Sequence, residues 1–207
     1  MPRPMKPPFC HPLLSIAFIL GLATMLLAKD PATTTAPASP KPKPAPPRAE
    51  PQIADVAYGP FAENKLDFWR AEGEGPRPLL VYIHGGGWRA GTKNLQPGQV
   101  DPFLAKGISV ASVTYRFTPV NPLPAPVHDA ARAIQFIRSK AAEWNLDKGR
   151  IALTGGSAGA CTSMWLLLHD DLADPKATDP VLRESTRVIA AAVAGGQTSI
   201  DPKVIEP

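Results

Sequence analysis

The chain has 207 residues, 44% hydrophobic and 19% charged, enough for one buried core with length left for tails. Its formal net charge is only +4, and Arg3 and Lys6 of an opening segment without acidic residues carry part of it; no basic helix or aromatic–basic strip is present, so a nucleic-acid partner is not expected. Its two cysteines, Cys10 and Cys161, define no disulfide framework, and no His/Cys/Asp/Glu group has metal-ligand spacing, so no metal and no other cofactor is expected.

Residues 1–28 read as a signal peptide or N-terminal anchor. Arg3 and Lys6 supply the basic start, and 13–28 is an uncharged apolar run shorter than the ~20 residues of a typical spanning helix. The expected location is therefore periplasmic or extracellular, with membrane contact only through this segment if it stays uncut. Residues 29–51 are rich in Pro, Ala, Thr and Lys and lack large apolar side chains. Such a stretch buries too little surface to fold, and its prolines favour an extended linker.

The folded part is expected over 52–207. Residues 66–71 alternate apolar and polar side chains, as a half-buried strand does. Residues 79–83 (LLVYI) are continuously apolar, as in a parallel strand covered on both faces. A helix is expected over 101–106 and a strand over 108–115. Apolar residues recur at helical spacing from Val127 to Trp144, with Pro126 suited to the first turn and 145–149 closing the helix. Residues 151–153 form a short strand and 158–169 a helix, with Cys161 inside it as a small buried apolar residue. A polar loop over 170–180 precedes a last apolar strand over 188–194. Strands alternating with helices predict an α/β fold with a mainly parallel sheet.

Two motifs stand at the ends of strands. Gly155-Gly156-Ser157-Ala158-Gly159 is G-x-S-x-G between a strand and a helix. A serine hydroxyl presented at so sharp a turn needs small neighbours, and the helix start that follows favours a developing oxyanion. Upstream, His84-Gly85-Gly86-Gly87-Trp88 follows the 79–83 strand, where open α/β sheets bind ligands. Gly85, Gly87 and Ala90 also match a dinucleotide fingerprint, but no helical periodicity follows over 88–98, which argues against that reading.

With HGGGW and GGSAG in this order, the sequence resembles the α/β-hydrolase superfamily, in particular esterases of the hormone-sensitive-lipase-like and feruloyl/acetyl-xylan-esterase-like (BD-FAE-like) types. His84–Lys93, Tyr115-Arg116, Pro126 and Asp129-Ala130 carry the resemblance to the latter. It implies an α/β-hydrolase fold and an acyl-enzyme mechanism on a small-molecule or glycan ester. Ser157 would be the nucleophile, and the amides of Gly86, Gly87 and Ala158 the oxyanion hole. His84, Gly85, Gly155 and Gly159 would support the motifs, and Trp88 would either line the acyl pocket or simply pack.

The triad's base and acid are not found. His169 stands at the far end of the helix that starts beside Ser157, about 18 Å away at ~1.5 Å per residue. His128 starts another helix, and Asp201 comes one strand early for the acid. The expectation is therefore a C-terminally incomplete hydrolase domain lacking its last strands, inactive by itself. The alternatives are a non-catalytic hydrolase-like binding module and a serine peptidase of the same fold.

Overall fold

A computed structural model describes residues 49–197. The leader reading of 1–28, nearly all of the 29–51 linker, and Asp201 lie outside the described residues. Of the expected linker, Ala49 is described: it is buried and its N–H donates to Leu95 O at 2.8 Å.

The elements are β1 (Ile53–Ala57), β2 (Lys65–Trp69), β3 (Arg77–Ile83), α1 (Pro97–Leu104), β4 (Ser109–Val113), α2 (Ala125–Ser139), α3 (Ala141–Trp144), β5 (Leu146–Gly156), α4 (Ala158–Leu168), a 3-10 turn (Pro180–Arg183) and β6 (Ala190–Ala194). The strands form one sheet in the order β1-β2-β4-β3-β5-β6. The pairs β3–β4, β3–β5 and β5–β6 are parallel, whereas β1–β2 and β2–β4 are antiparallel.

The strand pleat sorts side chains between two cores. Leu66, Phe68, Leu79, Val81, Ile83, Ala111 and Val113 face the larger cluster, which α2, α3 and α4 complete through Ile134, Ile137, Trp144 and Leu166. The opposite face presents Trp69 and Val110 to Leu95 and Val100, the latter from α1. Phe68 stacks on Trp144 with ring centroids 4.7 Å apart. Each such buried ring contributes about 1.5–3 kcal/mol.

Four expectations are corrected. Strand β2 is buried on both faces, because the polar member of its alternation, Asp67, has its carboxylate 2.9 Å from Lys93 Nζ inside the fold. The helix over 101–106 starts earlier, at Pro97, where proline's missing N–H costs no hydrogen bond. The periodicity from 127 to 144 spans two helices, broken at Lys140, whose N–H is shared between Phe136 O and Ile137 O, both at 3.1 Å. The last strand is shorter than 188–194, spanning Ala190–Ala194 with alternating exposure, and among the described residues it pairs with β5 alone. Strand β1 was not expected. A bulge between Ile53 and Val56 disguises its alternation, with Asp55 in the left-handed region at φ 53°. The stretch 145–149 is a left-handed cap at Asn145 followed directly by β5, in which Leu146 already pairs with Arg77.

Candidate active site

The site is built at the C-terminal ends of neighbouring strands. β3 and β5 run parallel with Ile83 opposite Gly155, so the loop after β3 and the turn after β5 emerge side by side. Ser157 occupies that turn with φ 52° and ψ −122°, a backbone state that costs a non-glycine residue about 1–3 kcal/mol. The surroundings hold it there. Its N–H donates to Ala194 O at 3.1 Å, at the end of β6, and its carbonyl accepts from Cys161 N at 3.0 Å. The serine itself is exposed.

The flanking glycines are required by close approach. A Cβ on Gly159 would lie 2.0 Å from Ile83 O, and one on Gly155 would lie 2.4 Å from the same oxygen. A Cβ on Gly85 would meet Gly156 O at 2.7 Å and Ser157 Cβ at 3.4 Å. The HGGG loop therefore lies directly against the serine turn, and the two sequence motifs form one place. Gly86 has φ 95° and its carbonyl accepts from both Arg89 N and Ala90 N, at 3.0 and 3.2 Å. Gly87 follows at φ 61°. Ala158 is the first residue of α4, where backbone amides lack intrahelical partners.

His84 is buried and braced within this loop. Its Nδ1 lies 2.8 Å from Gly85 O and therefore carries the proton donated there. The ring stacks on Tyr115 at 4.3 Å, with Phe117 edge-on at 5.9 Å. Tyr115 Oη donates to His84 O at 2.8 Å and Gly85 O at 3.2 Å. Burial pushes the imidazole below its ordinary value, against the raising effect of the Gly85 hydrogen bond, so it is neutral at pH 7.

The other motif residues act at a distance from Ser157. Lys93 Nζ sits 2.7 Å from Asp55 and 2.9 Å from Asp67, locking the loop end to β1 and β2. Arg116 holds Asp129 in a two-pronged pair at 2.8 and 2.7 Å, while its backbone N–H donates to the same carboxylate at 3.0 Å. Sequence reasoning matched these residues to a family pattern without finding their partners, because nothing in the spacing of Lys93 points to Asp67.

Trp88 both packs and lines a cavity. It has φ 56°, and its indole N–H donates to Thr162 Oγ1 at 3.1 Å. An apolar cavity of about 710 Å³ opens along α4, walled by Trp88, Val127, Cys161, Thr162, Trp165 and Val193. Cys161 is half-buried rather than fully buried as expected: it forms part of that wall, and its thiol bonds to Gln197 O at 3.2 Å. A second cavity of about 620 Å³ includes Arg116 and Arg132, but both are neutralised, by Asp129 and Asp179.

Among the described residues no histidine is hydrogen-bonded to Ser157. His84 Nε2 is buried without a partner. His169 caps α4 at the end opposite Ser157, bonded to Asp170 O and stacked on Trp165 at 3.9 Å. His128 lies on α2, tilted against Trp165 at 6.0 Å.

Comparison with known proteins agrees with this geometry. The family model for BD-FAE matches residues 66–192. The probable carboxylic ester hydrolase LipM of Mycobacterium tuberculosis is 34% identical over 142 residues, which cover 66% of this chain and 32% of LipM. Esterase LipQ of the same organism is 34% identical over 140 residues, covering 64% of this chain and 31% of LipQ. The chain thus spans about a third of the length of these relatives. The crystal structure of an acetyl ester-xyloside bifunctional hydrolase from Caldicellulosiruptor lactoaceticus superposes with a TM-score of 0.55 at 30% identity, over 62% of this chain and 47% of that one. Thermogutta terrifontis esterase 2 shares the fold with a TM-score of 0.61 at 23% identity, over 77% of this chain and 61% of that one.

Proposed function

This chain belongs to the BD-FAE family and has the α/β-hydrolase fold, and we propose that it is the nucleophile-bearing part of a serine carboxylic-ester hydrolase. One observation carries the reading: the HGGG loop after β3 lies against the strained Ser157 turn after β5.

Ser157 Oγ attacks the ester carbonyl carbon and passes its proton to a base. The carbonyl oxygen becomes an oxyanion facing the amides of Gly86, Gly87 and Ala158. Collapse breaks the bond to the leaving alcohol, which takes up the proton, and an acyl-enzyme remains. Water then releases the acid and restores the serine. Amides fixed for a developing oxyanion contribute a few kcal/mol each, with ~2.7–4 kcal/mol measured for one donor in another hydrolase. The base and the acid that orients it come from outside residues 49–197. The apolar cavity along α4, walled in part by Trp88 of the HGGGW stretch, suits the apolar part of a small acyl ester, free or carried on a polysaccharide. We read 1–28 as the segment that sends the enzyme out of the cytoplasm.

The test is hydrolysis of p-nitrophenyl acetate by the full-length protein, with its base and acid in place, and by the Ser157→Ala variant of that same protein. The expected loss is about 10³-fold or more, as for other nucleophile deletions. Unchanged hydrolysis in the variant rejects the assignment.

A further inference from the structure

The two halves of the expected oxyanion hole lie on different elements. Gly86 and Gly87 belong to the loop after β3, whereas Ala158 opens α4. The pairing of Ile83 with Gly155 and the close packing of Gly85 on the Ser157 turn bring the two together at their bases. One fully buried side chain bridges them. Thr162 Oγ1 is 2.9 Å from Ala158 O and 3.1 Å from Trp88 Nε1, across 74 positions of sequence.

The direction of both bonds follows from chemistry. A carbonyl only accepts and an indole N–H only donates, so the hydroxyl gives its single proton to Ala158 O and receives the indole proton on a lone pair. The hydroxyl is thus fully oriented, and the two bonds polarise each other in the same direction. Trp88 is held at its other end too. Its carbonyl accepts from Thr118 N at 2.7 Å and from Thr118 Oγ1 at 3.2 Å. A residue at φ 56°, directly after Gly87, is thereby pinned by backbone and ring. A threonine bonding back to the carbonyl one turn earlier is ordinary in a helix. Acceptance of a buried indole from the facing loop is not part of that habit.

We propose that Thr162 is a positioning residue that fixes the HGGG loop against the first turn of α4, setting the spacing between the Gly86–Gly87 and Ala158 amides. It touches no reacting atom. Its effect belongs to the transition state, because a displacement of about 1 Å between groups that stabilise charge costs up to ~10²-fold in rate. The proposal rests on the Ser157 ester-hydrolase reading for its catalytic consequence, but the bridge itself is testable without it.

Three variants decide it. Thr162→Val keeps the shape and removes the hydroxyl, Thr162→Ser restores the hydroxyl, and Trp88→Phe removes the same bond from the other side. The first measurement is amide hydrogen exchange over 84–91, which reports local opening. Thr162→Val and Trp88→Phe are expected to speed exchange there at least tenfold, with Thr162→Ser near the parent. The second is p-nitrophenyl acetate kinetics. Thr162→Val is expected to lower kcat ten- to a hundredfold with KM within about twofold, Thr162→Ser to recover most of it, and Thr162→Val to add less than about twofold in the Trp88→Phe background. Unchanged loop exchange in both Thr162→Val and Trp88→Phe overturns the bridge. A loosened loop with kcat within about twofold of the parent overturns the positioning role. If hydrolysis by the parent does not depend on Ser157, the functional reading falls, while the exchange measurement still decides the bridge.

Discussion

At the residue scale, Ser157 and its neighbouring glycines were legible because their requirements are local. A serine at φ 52° between crowded strands needs small flanking residues, and G-x-S-x-G states that need directly. Gly159 shows how strict the need is. Any Cβ there would meet backbone carbonyl oxygens, Ile83 O at 2.0 Å and His84 O at 2.8 Å, and neither is the end of a movable side chain. Gly159→Ala is therefore expected to cost about 1–3 kcal/mol, at the upper end of that range, measured by urea unfolding. A shift of the urea midpoint too small to correspond to 0.5 kcal/mol would mean that α4 moves off β3 freely. Thr162 was not legible. Its partner is a tryptophan on a loop distant in sequence, and a threonine inside an apolar helix carries no local sign of that bond.

At the element scale, strand β3 read plainly because a strand covered on both faces is apolar throughout. Strand β2 was misjudged because its buried aspartate looks like a solvent-facing position until Lys93 is seen beside it. Lys93, only slightly exposed, serves the fully buried Asp67 of β2 and the exposed Asp55 of the β1 bulge. Lys93→Met is expected to destabilise the fold by about 3–5 kcal/mol, since it removes the cation beside the buried Asp67 carboxylate, which keeps a hydrogen bond from Asp55 N. Lys93→Met combined with Asp67→Leu should recover much of that, and chemical denaturation of the two variants checks the difference. The segment between α4 and β6 has its own anchor. Burial of Asp171 acts to raise its carboxyl, but bonds from Ser185 Oγ, Thr186 N, Ala173 N and Thr186 Oγ1 outweigh it and hold the group at about 2. A lowered carboxyl stabilises the folded form fully above its unfolded value of ~3.9, and the contribution disappears as pH falls through the folded value. Acid unfolding followed by circular dichroism should therefore lose part of its slope between about pH 4 and pH 2 in Asp171→Asn.

At the scale of the whole molecule, the alternation of strands and helices was enough to predict an α/β sheet. Its spatial order was not, since no local signal says that β3 lies between β4 and β5. The likeness to known esterases covers the core of the sheet and both motifs. The bulged β1 is the least legible element, because its bulge interrupts the alternation a strand would show. The central position of β3 has a consequence for how this protein comes into being. β3 is made before both strands that flank it, and Ile83 waits for Gly155 while α1, β4, α2 and α3 are still to follow. Closing so long a loop is slow compared with forming any single helix. The strained turn at Ser157 thus has no oxygen of Ile83 to press against until that closure occurs. A newly made chain would hold Ser157 in an ordinary glycine-rich segment, and the turn's strained geometry would arrive only with that closure.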